Sequence, residues 1–307
     1  MLNKSLFNPL RIRIPLLLDV IIVSDPVQIR LIETSGDVDR LHTYDTASLP
    51  WWVKFYFSAT KFHDRQRDLW FCPFESSADP TYHPRREYLE AKVALSYQRE
   101  DVKKIAELLR TNATDEVLAQ AMVQVVNRRF FDADIPPEIS HAAKNTIQKF
   151  TEAILPWKYI RAQKSQQQIM GYCEHSLPQG VHILDVGHNI GEVVQTTSVA
   201  LRRLKDHLDQ PIEQTFTEHA LTPQVPRIAI KSSTFDGMLS SPTTPGKTVL
   251  LFMIGKAAAK THDIAFTFGT GSSERECVFK DFFLQFMNDL QQELKHGASE
   301  GQSVEII

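Results

Sequence analysis

The spacing of apolar residues along the chain predicts mostly helices. Apolar positions recur at three- and four-residue steps from Arg85 to Arg110 and again from Thr114 to Phe131, which favours two amphipathic helices. The same spacing predicts further helices over Pro137–Ile154, which Pro156 would end, over Gly180–Leu208, and over Val278–Lys295.

Strands are predicted near the N-terminus and late in the chain. "DVIIVSDPVQIRLIE" (19–33) has the pattern of a buried strand, a turn at Ser24–Pro26 and a helix that begins at Pro26. After Pro211, β-branched residues alternate with Pro and Gly, which is typical of short strands and turns. The aromatic-dense segment 49–64 fits a core helix or the wall of an apolar pocket, and we favour the helix.

Together these patterns predict a mainly α fold with a small β element. We expect residues 1–307 to form a single domain, with a frayed tail over 296–307.

Composition limits the classes of partner. The formal net charge of -3 argues against a nucleic-acid-binding surface, which would carry a basic excess. The longest apolar run, "IPLLLDVIIV", is too short to span a bilayer. The three cysteines are widely spaced and form no CxxC pair, which argues against a disulfide framework or a zinc knuckle. We therefore expect a cytoplasmic protein with neither a membrane span nor a nucleic-acid partner.

Cys277 is the residue with the clearest chemical potential. It follows a Gly-rich turn in "AFTFGTGSSERECVFKDFFLQFM" (265–287) and would open the last predicted helix. The partial positive charge at a helix N-terminus favours a thiolate, which is a nucleophile or a metal ligand. A nucleophilic cysteine needs a histidine base, and no local motif supplies one. A half-buried structural cysteine is the alternative.

The segment "FGTGSSEREC" resembles the haem-ligand loop of the cytochrome P-450 superfamily, F-x-x-G-x-R-x-C-x-G. Phe268, Gly271, Arg275 and Cys277 match, with two extra residues between the halves of the motif. Phe279 replaces the glycine that the motif has two residues after the cysteine.

Other segments resemble the same family in the same order. "TEHALTPQVPR" (217–227) is similar to E-x-L-R-L-x-P-P-V-P-R with one residue deleted, so Glu218 lacks its usual arginine. "TPGKTVLLFM" (244–253), "DVIIVSDPVQIRLIE" and "YHPRREYLEAKV" (82–93) resemble further family segments. The resemblance implies a compact, truncated and divergent P-450 fold.

The resemblance also implies a cofactor and its ligands. Haem b would be bound through Cys277 as the iron ligand, and Phe268, Gly271 and Arg275 would form the loop around it. The anionic haem propionates would need cations, for which His83, Arg86, Arg227 and Arg275 are the candidates by motif position.

The distal helix of the family carries an acid and a threonine that deliver protons to dioxygen. If Gly187 is aligned with the motif, Asn189 takes the place of the acid; in a second register, Gln195 does so and Thr196 and Thr197 remain. Asn189, Thr196 and Thr197 are therefore the catalytic candidates. Plant allene oxide synthases and hydroperoxide lyases carry an asparagine in this helix, and Lys280 and Asp281 after the cysteine also resemble that branch.

Three functions follow from the resemblance. The first is hydroperoxide rearrangement or cleavage, or peroxide-driven oxidation, of a small hydrophobic substrate. The second is a monooxygenase that depends on an electron-transfer partner, and the third is a non-catalytic module that binds haem or another ligand. A separate hypothesis places a carboxylate–histidine metal site at Asp185, His188 and Glu192, but the paired Glu-x-x-His motifs of such sites are missing.

Overall fold

A computed structural model describes most of the chain. The described residues are 9–14, 18–40, 62–64, 69–71, 82–93, 97–131, 136, 138–139, 142, 156–176, 197, 199–270 and 276–301. The chain forms two compact units. The first comprises Met1–Phe57, Phe74–Pro84 and Phe216–Cys277, and the second comprises Ser58–Pro73, Arg85–Thr215 and Val278–Ile307.

Helices predominate in the described part of the chain, and a small sheet accompanies them. The strands are β1 (Leu10–Ile14), β2 (Leu18–Val23), β3 (Val38–Arg40), β4 (Phe62–Asp64), β5 (Leu69–Phe71), β6 (Val225–Ala229) and β7 (Thr248–Phe252). The helices are α1 (Pro26–Thr34), α2 (Tyr82–Val93), α3 (Arg99–Arg110), α4 (Asp115–Phe131), α5 (Pro156–Ser176), α6 (199–206), α7 (Ile212–Glu218), α8 (Ile254–Thr261) and α9 (Lys280–Gly301), with a 3₁₀ helix at Ile264–Phe268.

The first unit is built on a five-stranded sheet with strand order β1-β2-β7-β6-β3. Its one parallel pair joins β2 to β7, with Ile21 opposite Leu250. Ile21, Val23, Leu250 and Phe252 are fully buried and form the core of this unit together with residues from α1, α8 and the 3₁₀ helix. The apolar side chains of β2 and β7 are thus covered by these helices, as is usual for parallel strands.

Helix α1 begins at Pro26, as its sequence predicts. Asp25 caps the helix because its carboxylate accepts hydrogen bonds from the backbone N–H groups of Val27 and Gln28, at 3.1 and 3.2 Å. Proline suits the first helical position because its missing N–H would have no intrahelical partner there. Ile29 and Ile32 then face the core.

Asp19 joins β1, β2 and β7 through a hydrogen-bonded network. It accepts from Arg11 at 2.6 and 2.8 Å and from the hydroxyl of Thr248 at 2.6 Å. Burial alone would raise the pKa of Asp19, but the hydrogen bonds from Arg11 and Thr248 and the charges of Arg11 and Arg13 hold this pKa below its ordinary value of 3.8.

We expect Asp19→Asn to lower the free energy of unfolding at pH 7 by about 1.5–3 kcal/mol, because a hydrogen-bonded charge is lost. A carboxyl with a lowered folded-state pKa stabilises the protein above its unfolded-state pKa, and the contribution is lost as the pH falls through the folded-state pKa. The difference between wild type and variant should therefore shrink below pH 3.8. Urea unfolding from pH 7 to pH 3 measures it. Asp236→Asn at an exposed position is the control, and a pH-independent difference would contradict the prediction.

The second unit is helical, with a short hairpin of β4 and β5. Val102, Ile105, Ala106 and Leu109 form the apolar stripe of α3, which packs against α9. Beside α9, Tyr97 contacts Phe286 edge to face at 4.9 Å and donates to Asp289 at 2.6 Å. Burial and this hydrogen bond raise the pKa of Tyr97.

Several predicted boundaries are wrong. The helix expected over Arg85–Arg110 is two helices, α2 and α3, because Gln98 has extended backbone and α3 begins after it. Pro156 begins α5, a helix that the apolar pattern missed. Residues 62–64, at the end of the segment predicted as a core helix, form a strand. Most of Pro137–Ile154 lies outside the described residues.

The remaining elements follow the sequence more closely. Helix α4 spans the predicted region, and residues 197 and 199–206 are helical as expected for the end of Gly180–Leu208. The strands after Pro211 are present, but helices α7 and α8 lie among them. The last helix starts at Lys280 and continues to Gly301, so the predicted frayed tail is helical over 296–301. No helix in the described ranges combines the length and the apolarity needed to cross a bilayer.

Candidate functional site

Cys277 ends a loop of the first unit with its side chain exposed. Its backbone N–H donates to the carbonyl of Phe268 at 2.8 Å, so the two ends of the Gly-rich loop are held together. The prediction that Cys277 opens the last helix is wrong, because α9 starts at Lys280. The backbone N–H of Phe283 bonds to the carbonyl of Phe279, which places the helix cap two residues after the cysteine.

The 3₁₀ helix Ile264–Phe268 supplies the carbonyl that holds Cys277. Asp263 caps its start, since one carboxylate oxygen accepts from the N–H of Ala265 at 2.9 Å. The other oxygen forms an ion pair with Arg30 of α1. The guanidinium of Arg30 also lies 4.8 Å from the ring centroid of Phe266, which is fully buried. Asp263 and Arg30 therefore fix the beginning of this turn.

Two buried threonines flank Phe268. The hydroxyl of Thr267 donates to the carbonyl of Phe216 at 3.0 Å in a buried hydrogen bond. Thr270 is fully buried, and its hydroxyl has no hydrogen-bond partner in the part of the chain that the structure describes. A buried hydroxyl without a partner is costly, and a bound ligand or water would satisfy it.

Arg227 forms a buried ion pair with Glu33. Its Nε donates to both carboxylate oxygens at 3.0 Å and its Nη2 donates at 2.9 Å, while Nη1 donates to the carbonyl of Pro226 at 2.9 Å. The side chains are 8% and 0% exposed. These bonds connect β6 to α1. The carboxylate of Glu33 thereby neutralises the positive charge of Arg227 within the protein. Its role as a propionate partner stays a prediction.

The other predicted propionate partners lie near the start of α2. His83, in the first unit, is exposed. Arg86, in the second unit, forms an i,i+4 ion pair with Glu90 at 2.7 Å. Their roles toward a cofactor also remain predictions, as does that of Arg275, which lies outside the described residues together with Gly271.

Of the predicted catalytic residues, only Thr197 is described. It is helical and buried, and it belongs to the second unit. Asn189 and Thr196 lie outside the described residues, as do Asp185, His188 and Glu192 of the alternative metal site. Within the described ranges, no group of three His, Cys, Asp or Glu side chains could hold a metal ion.

Sequence reasoning missed Glu33, Asp263 and Thr267. Glu33 could have been found, because it lies four residues after Ile29 and so shares the apolar face of α1. A carboxylate on a buried helix face requires a cationic partner. Asp263 and Thr267 had no comparable signal, because a five-residue 3₁₀ helix has no diagnostic period.

Comparison with known proteins shows a fold but no sequence relative. No protein-family model matches the chain, and no curated sequence is significantly similar to it. A cytochrome P-450 structure from Thermus thermophilus matches with a TM-score of 0.53 at 12% identity, over 92% of this chain and 86% of that one.

Two further structures match with a TM-score of 0.59 at 11% identity. One is the cytochrome P-450 PksS of the Bacillus subtilis bacillaene polyketide synthase, with coverage of 94% and 84%. The other is a variant of cytochrome P-450SP alpha, with coverage of 94% and 85%. The chain therefore has a cytochrome P-450-like fold. It is a highly divergent example, confirming the fold class that the sequence motifs predict.

The residues around Cys277 fit the thiolate side of a haem. An exposed thiol on a loop closed by a backbone hydrogen bond is a suitable single iron ligand, and Thr270, whose hydroxyl has no partner among the described residues, lies in the same loop. Arg86 and Arg227 are less suited to propionates, because carboxylates of the protein already pair with them.

Proposed function

We propose that this protein binds one haem b through the thiolate of Cys277 and acts on a small hydrophobic substrate. The reaction is the rearrangement or cleavage of a hydroperoxide, or a peroxide-driven oxidation. One observation carries the proposal: in a chain with a P-450-like fold, the cysteine that matches the haem-ligand motif in sequence has an exposed side chain.

The chemistry of the proposed ligand explains why a cysteine is needed. A haem iron bound by a thiolate gains electron density that favours cleavage of an O–O bond. The protein's part is to present the Cys277 sulfur, and the hydrogen bond from its amide to Phe268 fixes the backbone on which that sulfur is carried.

The residues of the distal helix favour a substrate that already contains the O–O bond. In one register Asn189 stands where the family has an acid, and in the other Gln195 does. An amide is not a general acid, so neither register supplies the proton that dioxygen activation needs. A hydroperoxide requires neither dioxygen nor an electron donor.

A lipid-like substrate is supported by a further structural relative. A variant of cytochrome P-450 OleT, solved in complex with arachidonic acid, matches with a TM-score of 0.52 at 10% identity, over 92% of this chain and 82% of that one. That ligand is a long apolar chain with one carboxylate. We propose an apolar substrate of comparable character, since ligand pockets are mostly apolar with few polar groups.

Two alternatives have specific support. Thr196 and Thr197, which the second register keeps at the position of the family's threonine, favour a monooxygenase that receives electrons from a partner protein. The pairing of Arg86 and Arg227 with carboxylates favours a non-catalytic binding module, because it leaves fewer cations for the propionates.

Haem reconstitution of the wild-type protein separates these possibilities. We expect stoichiometric haem uptake, a thiolate-type red-shifted Soret band after reduction under carbon monoxide, and consumption of fatty-acid hydroperoxides without reductase. Turnover only with dioxygen and an electron donor would identify the monooxygenase. Absence of stoichiometric haem uptake would overturn the proposal and leave the binding module. Haem-loaded myoglobin, with a histidine ligand, is the spectral control.

A further inference from the structure

The 3₁₀ helix Ile264–Phe268 connects two anchors of the first unit to the candidate ligand. At its start, Asp263 caps the turn and pairs with Arg30. Near its end, the buried hydroxyl of Thr267 bonds to the carbonyl of Phe216. The next residue is Phe268, whose carbonyl receives the N–H of Cys277 at 2.8 Å.

We propose that Asp263 and Thr267 are positioning residues for Cys277. The inference rests on the proposed function, since it assigns them to the placement of the proposed iron ligand. Neither residue touches the reacting atoms in this assignment. Each fixes the turn, the turn fixes the carbonyl of Phe268, and that carbonyl fixes the backbone of Cys277.

Thr267 is the stronger of the two anchors because its hydrogen bond is buried. It is adjacent to Phe268, so any displacement of its backbone moves the accepting carbonyl directly. Asp263 and Arg30 are partly exposed, with side chains 36% and 47% accessible. An exposed ion pair stabilises little by itself. Here, however, the same carboxylate also caps the turn, and the same guanidinium lies over buried Phe266.

Hydrogen exchange of the Cys277 amide, measured by NMR on the haem-free protein, tests the inference directly. We expect Thr267→Val, which keeps the side-chain shape but removes the donor, to accelerate this exchange about tenfold, as loss of one hydrogen bond of ordinary strength would. Thr267→Ser restores the donor and should restore protection. Arg30→Gln should act in the same direction with a smaller effect, and its exposed position keeps the variant folded.

Three controls distinguish positioning from general loss of stability. The Gly255 amide, which donates to the carbonyl of Pro223 at 3.0 Å in the same unit, should keep its exchange rate in every variant. Thr243→Val removes another buried hydroxyl of the first unit, which donates to the carbonyl of Lys231 at 2.9 Å, and it should leave Cys277 unaffected. Lys260→Gln is the matched control for Arg30→Gln, because it breaks an exposed ion pair between α8 and Asp25.

The same variants are then loaded with haem, and their carbon monoxide spectra are recorded. The Thr267→Val variant should lose part of its thiolate-type band and Thr267→Ser should recover it. Unchanged exchange at Cys277 in Thr267→Val, or equal acceleration at Gly255, would overturn the positioning role. Failure of the wild type to bind haem would instead overturn the proposed function, and the exchange result would still stand.

Discussion

The Cys277→Ala variant is expected to lose the thiolate-type Soret band and to consume hydroperoxides no faster than free haem does. Alanine removes the only sulfur that the motif places at the iron, and no other group in the described loop can donate electron density in its place. Stability should change little, because the Cys277 side chain is exposed and the bond from its amide to Phe268 does not depend on the side chain.

Cys277→Ser and Cys173→Ala make this result specific. Serine keeps the size of the side chain and a weak oxygen ligand, so it should abolish the thiolate band while some haem binding persists. Cys173→Ala removes a different thiol and should have the wild-type spectrum. A thiolate band that survives in Cys277→Ala, or disappears in Cys173→Ala, would show that another cysteine ligates the iron.

Replacing Arg227 by methionine is expected to lower the free energy of unfolding by about 3–5 kcal/mol. The carboxylate of Glu33 is fully buried and accepts three hydrogen bonds from this guanidinium. Without the arginine, a negative charge would be left in a low-dielectric environment with its main counter-charge removed. Urea unfolding measured at pH 7 gives the difference directly.

The double variant Arg227→Met/Glu33→Met tests the cause. Because a buried ion pair can be replaced by apolar residues of similar volume at little net cost, the second substitution should recover most of the loss. Lys231→Met, which breaks the exposed ion pair with Asp37 in the same unit, should cost about 1 kcal/mol or less. Equal losses in the single and double variants would mean that the packing of Arg227, and not its charge, stabilises β6 against α1.

Local signals were sufficient to predict the elements that carry them. The strand–turn–helix of residues 19–33 was correct because Asp25 and Pro26 mark the start of α1 without help from tertiary contacts. Helix α4 was correct because Thr114 begins it and its apolar spacing is regular. The boundary between α2 and α3 was missed because apolar spacing continues across Gln98, whose extended backbone ends the period without any proline or glycine.

The sequence was sufficient to predict the ligand of the candidate site but not the residues that hold this ligand in place. Cys277 was found from a motif of residue types at fixed spacing. What holds it in place depends on pairs far apart in the chain, such as Arg30 with Asp263 and Thr267 with Phe216. Such pairs leave no local pattern, so only the fold shows them. The expected placement of Cys277 at the start of α9 is wrong for a different reason, because a turn at residues 278–279 precedes the helix.

The parallel pairing of β2 with β7 also has a kinetic consequence. Asp19 and Thr248, which face each other in that pair, are 229 positions apart. Contacts between residues so distant in sequence form slowly, because the entropy of closing the intervening loop opposes them. During synthesis β2 must wait, with its inner edge uncovered, until β7 has emerged. Formation of the β2–β7 pair should therefore be a late step of folding, and the uncovered edge of β2 should be prone to aggregation until that step is complete.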